Sequence, residues 1–189
     1  DQSTDRTTDI LRELRIPHII RADRDPSFQE DESAFRQHAW DRMESLFEPK
    51  LGDWIVSLDA DEQLRCGGQH IKEVAAPAQE QGYDALWLKV NEMWEPNKVR
   101  TDGFWGDIKA LRMCAWKPNG MFLPKKMGGG SLPGNIINAG WTLDADILHY
   151  GYLNPADRLP KMQRYLDNAH HGHNSRHVRS IIATPTLAP

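Results

Sequence analysis

The chain has 189 residues and a formal net charge of −4, from 23 lysines and arginines against 27 aspartates and glutamates. This length suffices for an α/β domain with a sizeable core, and the charge leaves no basic surface for non-specific nucleic-acid binding. The sequence has no apolar run that could span a membrane and no visible signal peptide, so we expect a cytoplasmic protein. Its two cysteines, Cys66 and Cys114, match no zinc or redox spacing and predict free thiols.

The first fifty residues predict two helices with a short strand between them. After a turn-rich opening, Ile10, Leu11 and Leu14 recur at helical spacing and predict a short helix. Residues 18–20 are short and β-branched, which favours a strand. Apolar residues at three- and four-residue steps then predict an amphipathic helix over residues 30–47.

The most informative stretch is an apolar run that ends in carboxylates. Residues 54–58 are apolar apart from one serine, and Asp59, Asp61 and Glu62 follow at once. Such a run predicts a buried strand, most simply one in a parallel sheet. Acids this close repel one another unless a cation, a proton or solvent relieves them, and their oxygens suit Mg²⁺ or Mn²⁺. A solvated turn explains the same residues, so the motif alone leaves both interpretations open.

Beyond this motif, strands and helices continue to alternate until a long loop. We predict a helix over residues 69–81, bent near Pro77, and strands over residues 83–93 and 108–116. Residues 117–140 form a long connection rich in glycine and proline, which in a compact domain is usually functional or mobile.

The last part of the chain predicts one more strand and one more helix. The strand covers residues 145–150, and the helix begins at Asn154-Pro155, a favourable N-cap and N1 pair, and ends near residue 168. The remainder is rich in histidine and polar residues, so we expect it to be peripheral.

Several segments carry a family resemblance. The loop Asp1-Gln2-Ser3-Thr4-Asp5-Arg6-Thr7, the helical segment Phe35-Arg36-Gln37-His38-Ala39 and the strand with Asp59-Ala60-Asp61 occur in order. They resemble the Asp-x-Ser-Thr-Asp-x-Thr loop, the next helix and the Asp-x-Asp strand of family-two inverting glycosyltransferases, which have the GT-A fold. Residues 100–105 and 147–152, followed by Lys161, Arg164, Tyr165 and Leu166, resemble a branch that includes lipopolysaccharide-core and phage-encoded enzymes.

The resemblance implies a single GT-A-like domain over residues 1–189, with a mixed, mostly parallel sheet flanked by helices. Residues 1–65 would bind nucleotide and metal, residues 66–153 would shape the acceptor side, and residues 154–189 would form a C-terminal helix and tail. Family members have a strand, a helix and a second strand before the first loop, and none precedes Asp1 in this sequence. A sheet without those strands would expose edges, so we expect an N-terminally incomplete piece of the enzyme.

The resemblance also implies roles for matching residues. Asp1, Ser3 and Asp5 would contact the nucleoside. Independently of the resemblance, Arg36 is the basic residue that we expect to add positive charge near the phosphates, and a charge on the helix surface is the alternative. Asp59 would face the ribose and the metal-bound phosphates, Asp61 would be the principal metal ligand, and His149 would be a further ligand. A core histidine bonded to a backbone carbonyl is the alternative for His149.

The implied activity is a metal-dependent, inverting hexosyl transfer with Mn²⁺ or Mg²⁺. The donor would be a nucleoside-diphosphate sugar, most simply a UDP-sugar, and the acceptor a hydroxyl on a glycan, a lipid-linked sugar or a protein. The ion would neutralise charge that develops on the leaving diphosphate.

Inversion also needs a carboxylate that takes the acceptor's proton. The candidates are Glu92, Glu95, Asp102 and Asp107. We favour Asp102 and then Asp107, because both flank Trp105 in a loop after a strand. An ordinary exposed carboxylate is the alternative for each.

Two other functions remain open at this point. A nucleotidyltransferase on a related sheet would need a glycine-rich, basic phosphate loop after its first strand, which the sequence lacks. A carbohydrate- or metal-binding module without catalysis would use the seven tryptophans and the histidine-rich tail. The tail histidines follow no Cys/His zinc pattern.

Overall fold

The computed structural model describes residues 6–16, 31–124, 130–135, 138–167 and 175–189. Two compact units divide the chain, one of Asp1–Lys50 with Lys117–Asn135 and the other of Leu51–Trp116 with Ile136–Pro189. The predicted nucleotide-binding residues Asp1, Ser3 and Asp5 and the predicted strand over residues 18–20 lie outside the described residues.

The first unit contains the two predicted helices, α1 (Thr7–Glu13) and α2 (Glu32–Phe47). The Asp31 side chain caps α2 by accepting a hydrogen bond from the Ala34 amide at 2.9 Å. From the same helix, the Gln37 side chain accepts a hydrogen bond from the Phe122 amide and donates one to the Gly120 carbonyl, both at 2.9 Å. Within this unit α2 therefore fixes the start of the long connection.

The second unit contains seven strands and three α-helices among the described residues. The strands are β1 (Trp54–Val56), β2 (Glu62–Arg65), β3 (Ala85–Glu95), β4 (Lys98–Arg100), β5 (Lys109–Ala115), β6 (Ala139–His149) and β7 (Leu187–Ala188). The helices are α3 (Ile71–Glu80), α4 (Pro155–Asp167) and α5 (Ser175–Arg179), with short 3₁₀ helices over Gly103–Asp107 and Ser180–Ile182. None of the described helices is both long and apolar enough to cross a membrane.

The sheet is mixed, with antiparallel pairs in the majority. Its path runs β1-β5-β3-β4-β7, and β6 pairs with β3 and β2. Of the pairings described, β3 with β6 is parallel and the others are antiparallel. The predicted α/β class with a mixed sheet flanked by helices is confirmed, and the prediction of a mostly parallel sheet is wrong. An apolar run such as β1 is equally buried in either direction, so its composition does not determine how it pairs.

The first core lies between α3 and one face of the sheet. Along β3, Leu86, Leu88 and Val90 alternate inward and are 0 to 4% exposed, as the period of a strand requires. They pack with Val74, Ala75 and Ala78 of α3 and with Met113, Ala145 and Ile147 of the neighbouring strands. α3 continues through Pro77 rather than breaking there.

A second core joins the end of β3 to the C-terminal segment. It consists of Trp94, Trp105, Tyr152, Met162, Val178 and Ile181. Val178 and Ile181 are 2% and 1% exposed, and Trp105 Nε1 donates to Ser180 Oγ at 2.9 Å. The prediction of a peripheral tail is therefore wrong for its described part, because these two apolar residues are buried within a polar, histidine-rich stretch.

Candidate functional site

The acidic motif lies in the turn between β1 and β2. β1 ends at Val56 and β2 begins at Glu62, so Asp59 and Asp61 lie in the connection. The Glu62 amide donates to the Asp59 carbonyl at 3.0 Å, and the Tyr150 amide donates to the Asp61 carbonyl at 2.8 Å. The second bond ties the turn to the end of β6 and holds Asp61 beside it.

Arg112 of β5 neutralises part of the motif. Its guanidinium donates to Asp59 Oδ2 at 2.7 Å and to Glu62 Oε1 at 2.5 Å. Glu62 in turn accepts the Asp59 amide at 3.0 Å. The Arg112 and Glu62 side chains are only 9% and 4% exposed, whereas Asp59 is 46% exposed. The repulsion expected from the sequence is thus relieved for Asp59 and Glu62 by a buried cation, which also stiffens the turn.

Asp61 contacts one ring nitrogen of His149, and the carboxylate of Glu92 contacts the other. Glu92 and His149 are partners in the parallel pairing of β3 with β6, and Glu62 and His149 are partners in β2 with β6. His149 Nδ1 lies 2.5 Å from Glu92 Oε2, and His149 Nε2 lies 3.2 Å from Asp61 Oδ2. Both ring nitrogens therefore contact carboxylates, and neither contact is the backbone carbonyl that the alternative interpretation required.

These contacts shift the protonation of both groups. Burial alone would lower the pKa of His149, but hydrogen bonds to Asp61 and Glu92 outweigh it and raise that pKa to about 9. The hydrogen bond from His149 lowers the pKa of Asp61 to about 2, against the opposing effect of burial. At neutral pH the group is an imidazolium held between two carboxylates.

No side chain fits at Gly151 without a shift of its neighbours. A Cβ placed on Gly151 would lie 2.6 Å from His149 Nε2 and 2.7 Å from Asp61 Oδ2, and it would also clash with Lys161 Nζ. Lys161 belongs to α4 and donates to the Gly151 carbonyl at 3.3 Å. A carboxylate, an imidazole and an ammonium are thus packed closely against the backbone at Gly151.

The predicted bases do not contact this group. Both carboxylate oxygens of Asp102 accept hydrogen bonds from Arg100, at 2.7 and 2.8 Å, and Oδ1 also accepts the Thr186 amide at 2.9 Å. Asp107 is 80% exposed and lies 3.1 Å from Lys109 Nζ.

Arg36, predicted to assist at the phosphates, lies in the first unit. It donates to Glu32 on the same helix at 2.8 Å, a pairing one helical turn apart. Both side chains are largely buried, at 15% and 7% exposed. Arg36 thus stabilises the first turn of α2.

The predicted metal ligands, Asp61, Asp59 and His149, fit a divalent ion only in part. Among the described residues there is no group of three or more His, Cys, Asp or Glu side chains that could hold a metal ion. Asp61 and His149 offer an oxygen and a nitrogen that face each other, whereas Asp59 Oδ2 is bonded to Arg112. Mg²⁺ sites commonly use one or two protein carboxylates and fill the remaining positions with water and phosphate. A carboxylate on the second nitrogen is typical of metal-binding histidines.

Sequence reasoning missed the contributions of four residues to this site. Arg112 is a basic residue within the otherwise apolar run 110–115 of β5, a pattern that indicates a buried ion pair. Glu92 was weighed only as a base, and neither Lys161 nor Gly151 received a role, because their meeting depends on how α4 packs. Comparisons of the chain with protein-family models, curated proteins and solved structures found no match.

Proposed function

We propose that the chain is a metal-dependent, inverting glycosyltransferase that moves a sugar from a nucleoside-diphosphate sugar to a hydroxyl acceptor. The observation that carries the proposal is the contact of His149 with Asp61 through one ring nitrogen and with the buried Glu92 through the other. It offers one oxygen and one nitrogen ligand with a buried carboxylate behind the histidine. The resemblance of residues 1–7, 35–39 and 52–62 to family-two enzymes supplies the reaction type.

The residues of this chain would each perform a separate task. Asp61 and His149 would hold Mn²⁺ or Mg²⁺, and His149 Nε2 would lose its proton on ligating the ion, because only a neutral imidazole ligates a metal. When bound, the ion would supply a Lewis acid for the leaving diphosphate. Glu92 would fix the orientation of the His149 ring. Arg112 would hold the turn so that Asp61 keeps its position when the donor binds.

The base proposed for the acceptor hydroxyl is Asp107. Arg100 lowers the pKa of Asp102 to about 2 by hydrogen bonding, although burial acts in the opposite direction. A carboxylate with so low a pKa accepts a proton poorly near neutral pH. Asp107 is exposed, and its ion pair with Lys109 lies on the surface. Its carboxylate is therefore accessible to an acceptor hydroxyl.

The experiment that tests the proposal is thermal unfolding with UDP, GDP, Mn²⁺, and each nucleotide together with Mn²⁺. We expect stabilisation that requires nucleoside diphosphate and metal together, because the two protein ligands need phosphate oxygens to complete the shell. Asp61→Asn should abolish this stabilisation, and the exposed Glu80→Gln on α3 is the matched control. Stabilisation of the Asp61 variant equal to that of the wild type would refute the assignment.

A carbohydrate-binding module without catalysis is the second candidate, and one observation favours it. Trp87 and Trp141 are partners on adjacent strands and are 40% and 41% exposed, and Lys109 Nζ lies 4.7 Å from the Trp141 ring centre. Paired exposed tryptophans offer flat surfaces for sugar rings. Binding of oligosaccharide that Trp141→Ala removes, without any binding of nucleoside diphosphate, would favour this candidate.

A further inference from the structure

Lys161 is placed differently from the lysines of the second unit that contact carboxylates. Lys72, Lys98 and Lys109 form surface ion pairs with acidic residues. Lys161 is half-buried on α4, where Nζ donates to the Gly151 carbonyl at 3.3 Å and lies 4.1 Å from the centre of the Tyr152 ring. Among the described residues, no carboxylate lies within salt-bridge distance of Lys161 Nζ.

The position of this ammonium matches what a bound polyanion needs. A Cβ built on Gly151 would clash with Lys161 Nζ, Asp61 Oδ2 and His149 Nε2 together, so the ammonium lies close to both proposed metal ligands. A long hydrogen bond to a carbonyl and a contact with an aromatic face are weak partners for a charge, whereas a phosphate oxygen is a strong one. A diphosphate carries more negative charge than one divalent ion cancels, so a second cation adjacent to the metal ligands would stabilise it.

We propose that Lys161 Nζ binds a phosphate oxygen of the nucleoside diphosphate, on the phosphate distal to the nucleoside. The inference rests on the proposed function, since it takes Asp61 and His149 as the metal ligands. On binding, the ammonium exchanges the Gly151 carbonyl for the phosphate, and the Tyr152 ring continues to support its aliphatic stem.

The distal phosphate can be tested by comparing UDP with UMP in the presence of Mn²⁺. Calorimetry should show that wild type binds UDP more tightly than UMP. Lys161→Ala should weaken UDP binding roughly 10- to 100-fold, the range for hydrogen bonds to charged groups, and leave UMP binding nearly unchanged. Lys161→Arg should recover part of the loss, and the exposed Lys98→Ala is the matched control.

A second variant and a chemical-protection measurement supplement this comparison. Lys161→Met retains most of the buried stem and replaces the alanine variant if that variant unfolds. In wild-type protein, UDP with Mn²⁺ should protect Lys161 from acetylation by acetic anhydride, read by mass spectrometry, and UMP should not.

The outcomes separate the two proposals. If wild-type protein binds no nucleoside diphosphate, the proposed function fails and this inference fails with it. If wild type binds UDP and the Lys161 variants keep the same ratio of UDP to UMP affinity, or if UDP leaves Lys161 as reactive as before, only the role of Lys161 is overturned.

Discussion

Two charged networks in the second unit use the same ingredients and differ in what surrounds them. Asp61 interacts with the imidazolium of His149, and Asp102 interacts with the guanidinium of Arg100. In both cases the basic partner lowers the pKa of the carboxylate to about 2. A low pKa therefore does not distinguish a candidate site from a structural ion pair.

The two networks differ in how far other groups of the protein contact their polar atoms. Arg100 is 1% exposed, lies between the Trp94 and Trp105 rings at 4.5 and 4.9 Å, and donates to the Ser180 carbonyl at 2.8 Å. Asp102 also accepts a backbone amide, so this network is closed by the protein. Asp61 is 47% exposed, so its carboxylate stays open to solvent beside His149. The Asp61–His149 network is therefore open, whereas the closed Arg100–Asp102 network holds the C-terminal segment.

The largest effect should follow Asp61→Asn. If Asp61 holds the ion, transfer from a UDP-sugar should fall roughly 10³-fold, about 4 kcal/mol, because Lewis-acid stabilisation of the leaving group is worth several kcal/mol. Because the half-exposed carboxylate pairs with His149, the free energy of unfolding measured by chemical denaturation should fall by only about 1 kcal/mol. Retained turnover in this variant would show that the open network is not the metal site.

A substitution in the closed Arg100–Asp102 network should instead lower the stability of the fold. Asp102→Asn leaves the buried Arg100 charge without its counter-ion and should lower the free energy of unfolding by roughly 3 kcal/mol at neutral pH. Because folding depresses the pKa of Asp102, its contribution is complete above pH 3.8 and is lost as pH falls through about 2. The free energies of unfolding measured in urea for variant and wild type should thus converge between pH 4 and 2. A difference in free energy that stays constant over this range would contradict the ion-pair explanation.

A carboxylate outside both networks gives the next test. Asp107→Asn should lower kcat roughly 100-fold, about 2.7 kcal/mol, if Asp107 is the base, with unfolding changed by less than about 0.5 kcal/mol. Donor binding by calorimetry should stay as in the wild type. Unchanged kcat would remove Asp107 from the mechanism, and Lys109→Gln controls for loss of the surface pair.

Local periodicity made much of the fold predictable. The helix α2, the long strand β3 and the helix α4 follow from residue spacing and from the Asn154-Pro155 start, and they were placed within a few residues. The directions of strand pairing were not predictable, because an apolar strand such as β1 packs in either direction. The burial of Val178 and Ile181 depends on a pocket that Trp94 and Trp105 form from distant parts of the chain.

The candidate site was predictable in composition and not in geometry. Asp61 and His149 were singled out from residue type and resemblance, 88 positions apart in the chain. The contact of Glu92 with His149 depends on the register of β3 against β6, which the sequence of neither strand determines. Lys161 reaches Gly151 only because α4 packs against the segment that follows β6.

The smallest of the four effects should follow Glu92→Gln, which alters the open network through its contact with His149 Nδ1. The amide keeps the size of the side chain but removes its charge, so the pKa of His149, raised to about 9 in the wild type, should fall. Changes behind a metal ligand typically cost 10- to 100-fold in metal affinity, about 1.4 to 2.7 kcal/mol. NMR titration of the histidine ring and Mn²⁺ binding measured with UDP would test both effects. The exposed Glu95→Gln on the same strand is the control, and an unchanged His149 titration would show that Glu92 does not hold the imidazolium.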